Sequence, residues 1–218
     1  EEIRCWQPDL PIRPDATIYF GGGTPSVLPV ELLCQIVQAL KDRGFWNRPR
    51  EATLEANPGT LDGERLRAYR QLGFDRLSLG IQSFQPAELA AMGRIHTAEE
   101  AKEAIALARQ AGFARLSGDL VYGYPGQTVD SVRDSLHQLL ETGVDHVSVY
   151  GLTVEKGTQV YAQLQKGKAA LPPEEAVGAM YDLLMDELPK AGYTRYEISN
   201  FARPGQESRH NQIYWHYD

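Results

Sequence analysis

The residues able to do chemistry in this 218-residue chain are dispersed, and each follows an apolar run. They are Gly21-Gly22-Gly23-Thr24, within YFGGGTPSVLP, then Glu55, Gln82, Asp119, Thr153 and Glu197. Consecutive glycines let a ligand approach the backbone closely, and a helix N-terminus after Thr24-Pro25 would suit a phosphate. Neither the dinucleotide spacing nor the Lys-Ser/Thr of a P-loop is present, so a tight strand-to-helix turn is the other use of these glycines. Carboxylates such as Glu55 and Asp119 accept from ammonium or hydroxyl donors. Each of these residues alone could satisfy a local loop; five gathered on one face would make a polar pocket. His96, His137, His146 and His216 show no metal-ligand spacing.

What could gather them is a repeated unit. Five times a helical pattern ends in Gly and is followed at once by an apolar, β-branched or aromatic run: DRGFW, QLGFDRLSLG, QAGFARLSGDLVYG, ETGVDHVSVYG and KAGYTRYEIS. The glycine stands where a helix C-cap needs a left-handed residue. The amphipathic segment Ala98–Ala111, with Ala101, Ile105 and Ala108 along one side, is one such helix. Pro29, Pro86 and Pro173 stand at or near helix starts, as first-turn prolines should. The predicted strands are Thr17–Gly22, Ala52–Ala56, Arg76–Gln82, Leu116–Tyr122, His146–Leu152 and Arg195–Ile198.

Strands alternating with helices at this spacing predict parallel strands joined by crossover helices. A doubly wound sheet and a (β/α) barrel both fit. Six units without a strand-order signal favour an α/β fold of the TIM-like (β/α) barrel type, with outer helices. A full eight-fold barrel takes about 250 residues, so a partial barrel in one domain spanning 1–218 is expected. Ligands of such folds bind at the carboxyl ends of the strands, where the polar residues above fall. Lys166–Pro173 reads as a boundary-like loop inside the domain.

Composition narrows the class. Hydrophobic residues make up 42% and charged residues 23%, which argues against a wholly disordered or fibrous chain. A net charge of -7 disfavours a generic nucleic-acid footprint. No stretch approaches the roughly 18 apolar residues of a membrane span. Two cysteines, Cys5 and Cys34, make no disulfide framework, and a reducing, cytoplasmic setting is expected. The abrupt EEIRCW start and the aromatic HNQIYWHYD finish read as a piece of a longer polypeptide.

Four motifs in order, GGGTPS, LEANPGTL, LGFDRLSLGIQSF and DLVYGYPGQT, resemble the radical S-adenosylmethionine (SAM) enzymes related to oxygen-independent coproporphyrinogen III oxidase. The resemblance runs from about Ile18 to Trp215. The closing SRHNQIYW resembles the HN-x-x-YW signature of the haem-chaperone (HemW-like) branch.

The resemblance implies that Gly22, Gly23 and Thr24 form the turn that holds the methionine end of SAM, and that Glu55 contacts SAM. It implies that Gln82, Arg94 and Asp119 match positions surrounding a second SAM in the oxidases, where Arg94 could pair with a carboxylate. Thr153 is a further equivalent position. His210 could ligate haem, flanked by Tyr214 and Trp215, with Asn211 beside it; an exposed or turn histidine beside a core-packing Tyr-Trp pair is the alternative. The family also holds a [4Fe–4S] cluster on three cysteines of a C-x-x-x-C-x-x-C loop. Two ill-spaced cysteines cannot supply it, so that loop and its strand are expected before Glu1, and a small C-terminal domain after Asp218. The intact protein would bind SAM and the cluster and carry haem or porphyrin to acceptor proteins. The rivals are a coproporphyrinogen III oxidase and a phosphate-binding (β/α) enzyme using the GGGT turn.

Overall fold

The structure, a computed structural model, describes residues 2–5 and 16–216. Elements follow in the order α1 (Glu2–Cys5), β1 (Thr17–Phe20), α2 (Val30–Asp42), β2 (Glu51–Ala56), α3 (Gly63–Leu72), β3 (Arg76–Gln82), α4 (Pro86–Ala91) and α5 (Ala98–Gln110). The chain continues through β4 (Arg115–Tyr122), α6 (Val129–Glu141), β5 (His146–Gly151), α7 (Gln159–Gln165), α8 (Glu174–Lys190), β6 (Thr194–Arg195), β7 (Asn200–Ala202) and α9 (Arg209–His216). Trp6, the last residue of EEIRCW, lies outside the described residues.

Local sequence explains the boundaries. Thr97 and Thr128 open α5 and α6 with reciprocal capping boxes, each threonine hydroxyl accepting the N–H three residues on. Pro29 and Pro173 precede α2 and α8, and Pro86 begins α4. Gly73 closes α3 at φ +111°, a conformation that a side chain would strain.

The strands form one sheet in the order β1-β2-β3-β4-β5-β7-β6 among the described residues. β1 to β5 are parallel and lie side by side in chain order. Right-handed crossovers that always step in the same direction put the helices on one face, which is winding of the barrel kind and excludes a doubly wound sheet. Among the described residues the sheet does not close, so the architecture they form is a partial (β/α) barrel.

Side chains alternate across the strands, and the two faces differ in chemistry. Ala52, Leu54, Leu77, Leu79, Ile81, Leu116, Leu120, Val147 and Val149 are buried against the helices in one continuous core with Leu66, Phe74, Ile105, Leu136, Leu139 and Leu184. Gly118 takes part by absence: a Cβ there would lie 2.5 Å from Leu139 Cδ1. The opposite face is polar from end to end. Glu51, Thr53, Arg76, Ser78, Ser117, His146 and Ser148 are all buried there. Buried polar groups are costly unless bonded, so this face is a hydrogen-bonded lattice and not a filler of branched aliphatics.

One expected strand does not form. No strand spans Arg195–Ile198: β6 ends at Arg195 and residues 197–199 bend. The Glu197 carboxylate accepts the N–H of Ser199 and the side-chain amide of Asn200, turning the chain back. Arg195 clamps the bend from outside by donating to the carbonyls of Glu197 and Ile198. β7 therefore runs antiparallel to β5, with Ser148 opposite Asn200, and β6 pairs antiparallel with β7 at the edge. Glu197 is thus a bend residue.

Candidate functional site

The carboxyl ends of β1 to β5 surround a cavity of about 330 Å³, within the roughly 300–1,000 Å³ of small-molecule sites. Gly23, Thr24, Glu55, Gln82, Arg94 and Asp119, far apart in the chain, all line it. Asn57, Ser78, Gly80 and Tyr150 complete its polar wall. The scattered strand-end residues thus meet at one rim.

Glu55 is the most constrained of them. Its Oε1 accepts the Tyr19 hydroxyl at 2.5 Å, and its Oε2 accepts the Gly22 N–H at 3.2 Å. Gly22 has φ +115°, which turns its amide towards the carboxylate. Gly22 does not line the cavity itself but closes this rim contact. Gly21 is needed for closeness: a Cβ there would fall 2.5 Å from the Tyr19 ring and 3.0 Å from Glu55 Cδ. Burial, and then the hydrogen bond to Glu55, raise the Tyr19 pKa well above the phenolic value, so its hydroxyl stays a donor.

Asp119 stands across the cavity. Burial pushes its carboxyl up to about 6, against the hydrogen bond from Ser148 and the charge of Arg76, with Glu55 adding to the rise. The Ser78 hydroxyl lies 3.4 Å from Asp119 Oδ1. Tyr150 at the end of β5 is pushed up to about 12, first by burial and then by Asp119.

Between them β3 is irregular. Its register against β4 shifts between Gly80 and Gln82, and Gln82 sits at φ +74°. A non-glycine residue in that region is strained, and such strain gathers at functional sites. The bulge aims Gln82 at the cavity. Gly80 leaves the room, since a Cβ there would meet Arg94 Nη2 and Gln82 Nε2 at 3.1 Å. Arg94 Nη2 donates to the Gly80 carbonyl at 3.1 Å, while its buried Nε has no hydrogen-bond partner among the described residues. An orphaned guanidinium N–H at a polar cavity wants an acceptor.

Thr153 is not part of this wall. β5 ends at Gly151, and Thr153 lies two residues further along the loop and is not among the residues that line the cavity. The expected haem residues also lie elsewhere, on α9, beside β1 and at the amino ends of the strands. His210 Nδ1 shares a 2.7 Å hydrogen bond with Thr17 Oγ1, and its ring stacks on Tyr19. Burial lowers the His210 pKa, which favours the neutral ring. Asn211 donates to the Tyr196 hydroxyl at 3.3 Å, and Tyr214 is exposed. Of the alternatives for the Tyr-Trp pair, core packing fails, since Tyr214 and Trp215 both face solvent.

Sequence reasoning missed Tyr19, Asn57, Ser78 and Tyr150. The signal was alternation: Tyr19 precedes Gly21 by two, and Ser78 precedes Gly80 by two, so each shares its strand-end neighbour's face. The donor set fits SAM: Glu55 and Asp119 suit an ammonium group and ribose hydroxyls, and Arg94 suits a carboxylate. An iron–sulfur cluster does not fit the described residues. They contain no group of three or more His, Cys, Asp or Glu able to hold a metal, and Cys5 and Cys34 are exposed and apart in sequence. No helix among them is long and apolar enough to cross a membrane.

Comparison with known proteins adds lineage to this geometry. Residues 9–139 match the family described as the Radical SAM superfamily. The chain is 39% identical over 199 residues to heme chaperone HemW of Lactococcus lactis, covering 91% of this chain and 52% of that protein. It is 39% identical over 213 residues to heme chaperone HemW of Bacillus subtilis, covering 96% and 54%. It thus spans about half the length of the curated relatives it matches. Among solved structures, coproporphyrinogen III oxidase (HemN) of Escherichia coli, described as a radical SAM enzyme, superposes with a TM-score of 0.77 at 26% identity, covering 88% of this chain and 44% of that one.

Proposed function

This chain belongs to the radical SAM superfamily, and on that premise we propose that it is the SAM-binding partial barrel of a HemW-like haem chaperone. In this reading the intact protein binds SAM and a [4Fe–4S] cluster and delivers haem to acceptor proteins in a reducing, cytoplasmic setting. The observation that carries the SAM part is the convergence of Glu55, Arg94 and Asp119 on one cavity with Arg94 Nε left unpartnered. Glu55 and Asp119 hold the cationic and hydroxyl groups of SAM, Gln82 and the Gly23-Thr24 part of the turn supply amide contacts while Gly22 holds the Glu55 carboxylate, and Arg94 takes a carboxylate. Bound beside its cluster, SAM supplies radical chemistry; the described residues contribute the grip on SAM and none of the cluster's thiolates. Two carboxylates facing the cavity would repel a phosphate, which counts against the phosphate-binding reading.

The haem part leans on similarity to HemW proteins and on His210, whose Nδ1 is engaged by Thr17 while Nε2, among the described residues, has the Tyr214 hydroxyl alone, 3.5 Å away. Titration of the full-length protein with SAM and with haem tests both parts. SAM binding lost in Glu55→Ala, and a Soret band lost in His210→Ala, are the expected results. A second reading, a coproporphyrinogen III oxidase, draws on the HemN-like superposition and on Gln82, Arg94 and Asp119 sharing the cavity. Turnover of coproporphyrinogen by the cluster-loaded protein would favour that reading and overturn the carrier.

A further inference from the structure

Glu55 and His210 sit on different elements, yet one side chain touches both. Tyr19 in β1 donates its hydroxyl to Glu55 Oε1 at 2.5 Å. The same ring lies on the His210 imidazole, with centroids 4.7 Å and planes 20° apart. Thr17, two residues earlier on the same face of β1, binds His210 Nδ1 at 2.7 Å.

Building on the reading that the cavity takes SAM and His210 takes haem, we propose that Tyr19 is a positioning residue shared by the two sites. Its hydroxyl and the Gly22 N–H each occupy one oxygen of the Glu55 carboxylate. A carboxylate has about four acceptor positions, so about two stay available to a ligand in a fixed orientation. At the other end the Tyr19 ring sets the plane of the imidazole. With Nδ1 committed to Thr17, Nε2, whose contact with the Tyr214 hydroxyl is a long 3.5 Å, is the nitrogen a metal would take, and a hydrogen bond at Nδ1 is how proteins usually orient a ligating histidine. Gly21 keeps the arrangement possible, because any Cβ there would displace the Tyr19 ring from its place against Glu55.

The two functions of the side chain are separable. Tyr19→Phe keeps the ring and removes the donor, whereas Tyr19→Leu removes both. In the full-length, cluster-loaded protein, SAM affinity is read by equilibrium dialysis and haem affinity by the Soret band. Tyr19→Phe is expected to weaken SAM about tenfold, the scale of a hydrogen bond to a charged group, and to change haem affinity less than about twofold. Tyr19→Leu is expected to weaken both, haem by about fivefold, with a displaced Soret maximum. Thr17→Val, which releases Nδ1 without touching the cavity, should displace the Soret maximum alone. A side chain with only a structural role would lower both affinities together in every variant. The inference is overturned if Tyr19→Phe binds SAM as wild type does, or if Tyr19→Leu and Thr17→Val leave the haem spectrum unmoved. Failure of the underlying reading looks different: wild type then binds no SAM, or His210→Ala keeps its haem spectrum, and the inference falls with it.

Discussion

Glu51, the first residue of β2, accepts the backbone N–H of His210 at 3.1 Å across 159 residues of chain. The same carboxylate accepts from Arg209 N–H at 3.0 Å, the Ser208 hydroxyl at 3.2 Å and Arg115 Nη1 at 2.5 Å. It is fully buried at the amino end of α9, where a negative charge meets unpaired helix N–H groups and the positive end of the helix dipole. SRHN is therefore a seat as well as a motif. Ser208 and two backbone amides fix the helix to the strand N-termini, and the His210 side chain is left to meet Thr17 and Tyr19.

Removing that seat should be severe. Glu51→Ala strands Arg115 and Arg76 in the interior, which costs about 3–5 kcal/mol when a buried pair loses one member. Urea unfolding reads the loss, and amide exchange across 208–216 should speed up with it. The pH dependence has a definite sign. Burial would raise the Glu51 pKa, but Arg76, Arg115 and the two amides outweigh it and hold it below the usual 4.5. A depressed carboxyl contributes stability above its unfolded value and loses it as pH falls through the folded one. Wild type should thus lose this contribution below about pH 4.5, and the alanine variant should lack that acid limb.

Asp119 makes ligand binding pH-dependent in the same pH direction for a different reason. Its folded pKa is raised to about 6 from 3.8, so its ionisation costs the free protein stability: the favourable contribution is complete below 3.8 and is lost as pH rises through about 6. A ligand that donates to the carboxylate needs the ionised form. SAM affinity measured by calorimetry should therefore climb between pH 5 and 7 with a midpoint near 6, while Asp119→Asn flattens the profile. A wild-type profile as flat as the variant's would remove Asp119 from ligand contact.

Gly80→Ala separates binding from stability. The backbone there is not left-handed, so alanine is tolerated and the change in stability should stay within about 1 kcal/mol. Its methyl, however, would press on Arg94 Nη2 and Gln82 Nε2 at 3.1 Å and shift both groups. SAM affinity should fall about five- to tenfold with an unchanged thermal midpoint. An equal loss of both would show that Gly80 serves packing alone.

Much of this was legible in residue types. The helix-ending glycines and the β-branched runs after them located the parallel strands within a residue or two, and Glu55, Gln82 and Asp119 stood out because polar residues ended apolar strands. The bend at Glu197 was not legible, because it depends on one carboxylate capturing the next residues' donors and so turning a plausible strand around. Thr153 does not share the cavity wall because β5 stops at Gly151, which the sequence pattern did not mark. Tyr19 escaped for a deeper reason: its two partners lie 36 and 191 positions away, and nothing in a single strand's pattern states which side chains another strand or a terminal helix will bring to it. The polar lattice facing away from the helices escaped likewise, since Arg76 or His146 at a strand's start reads as an exposed end until neighbouring strands bury it.

Arg94 offers the test that distinguishes its chemistry from its charge. Its Nη2 is spent on the Gly80 carbonyl, and its buried Nε lacks a partner among the described residues, so a bound carboxylate would meet a fork already held at one tine. Burial lowers its pKa, and Asp119 opposes that shift, yet a guanidinium remains protonated throughout the working range. Lysine keeps the charge but not the planar fork. Calorimetry with SAM and with its decarboxylated analogue should give a wild-type preference for SAM of about tenfold or more. Arg94→Lys should lose most of that preference while binding the analogue as before. If the variant discriminates as wild type does, the carboxylate lies elsewhere in the cavity and Arg94 serves only to brace Gly80.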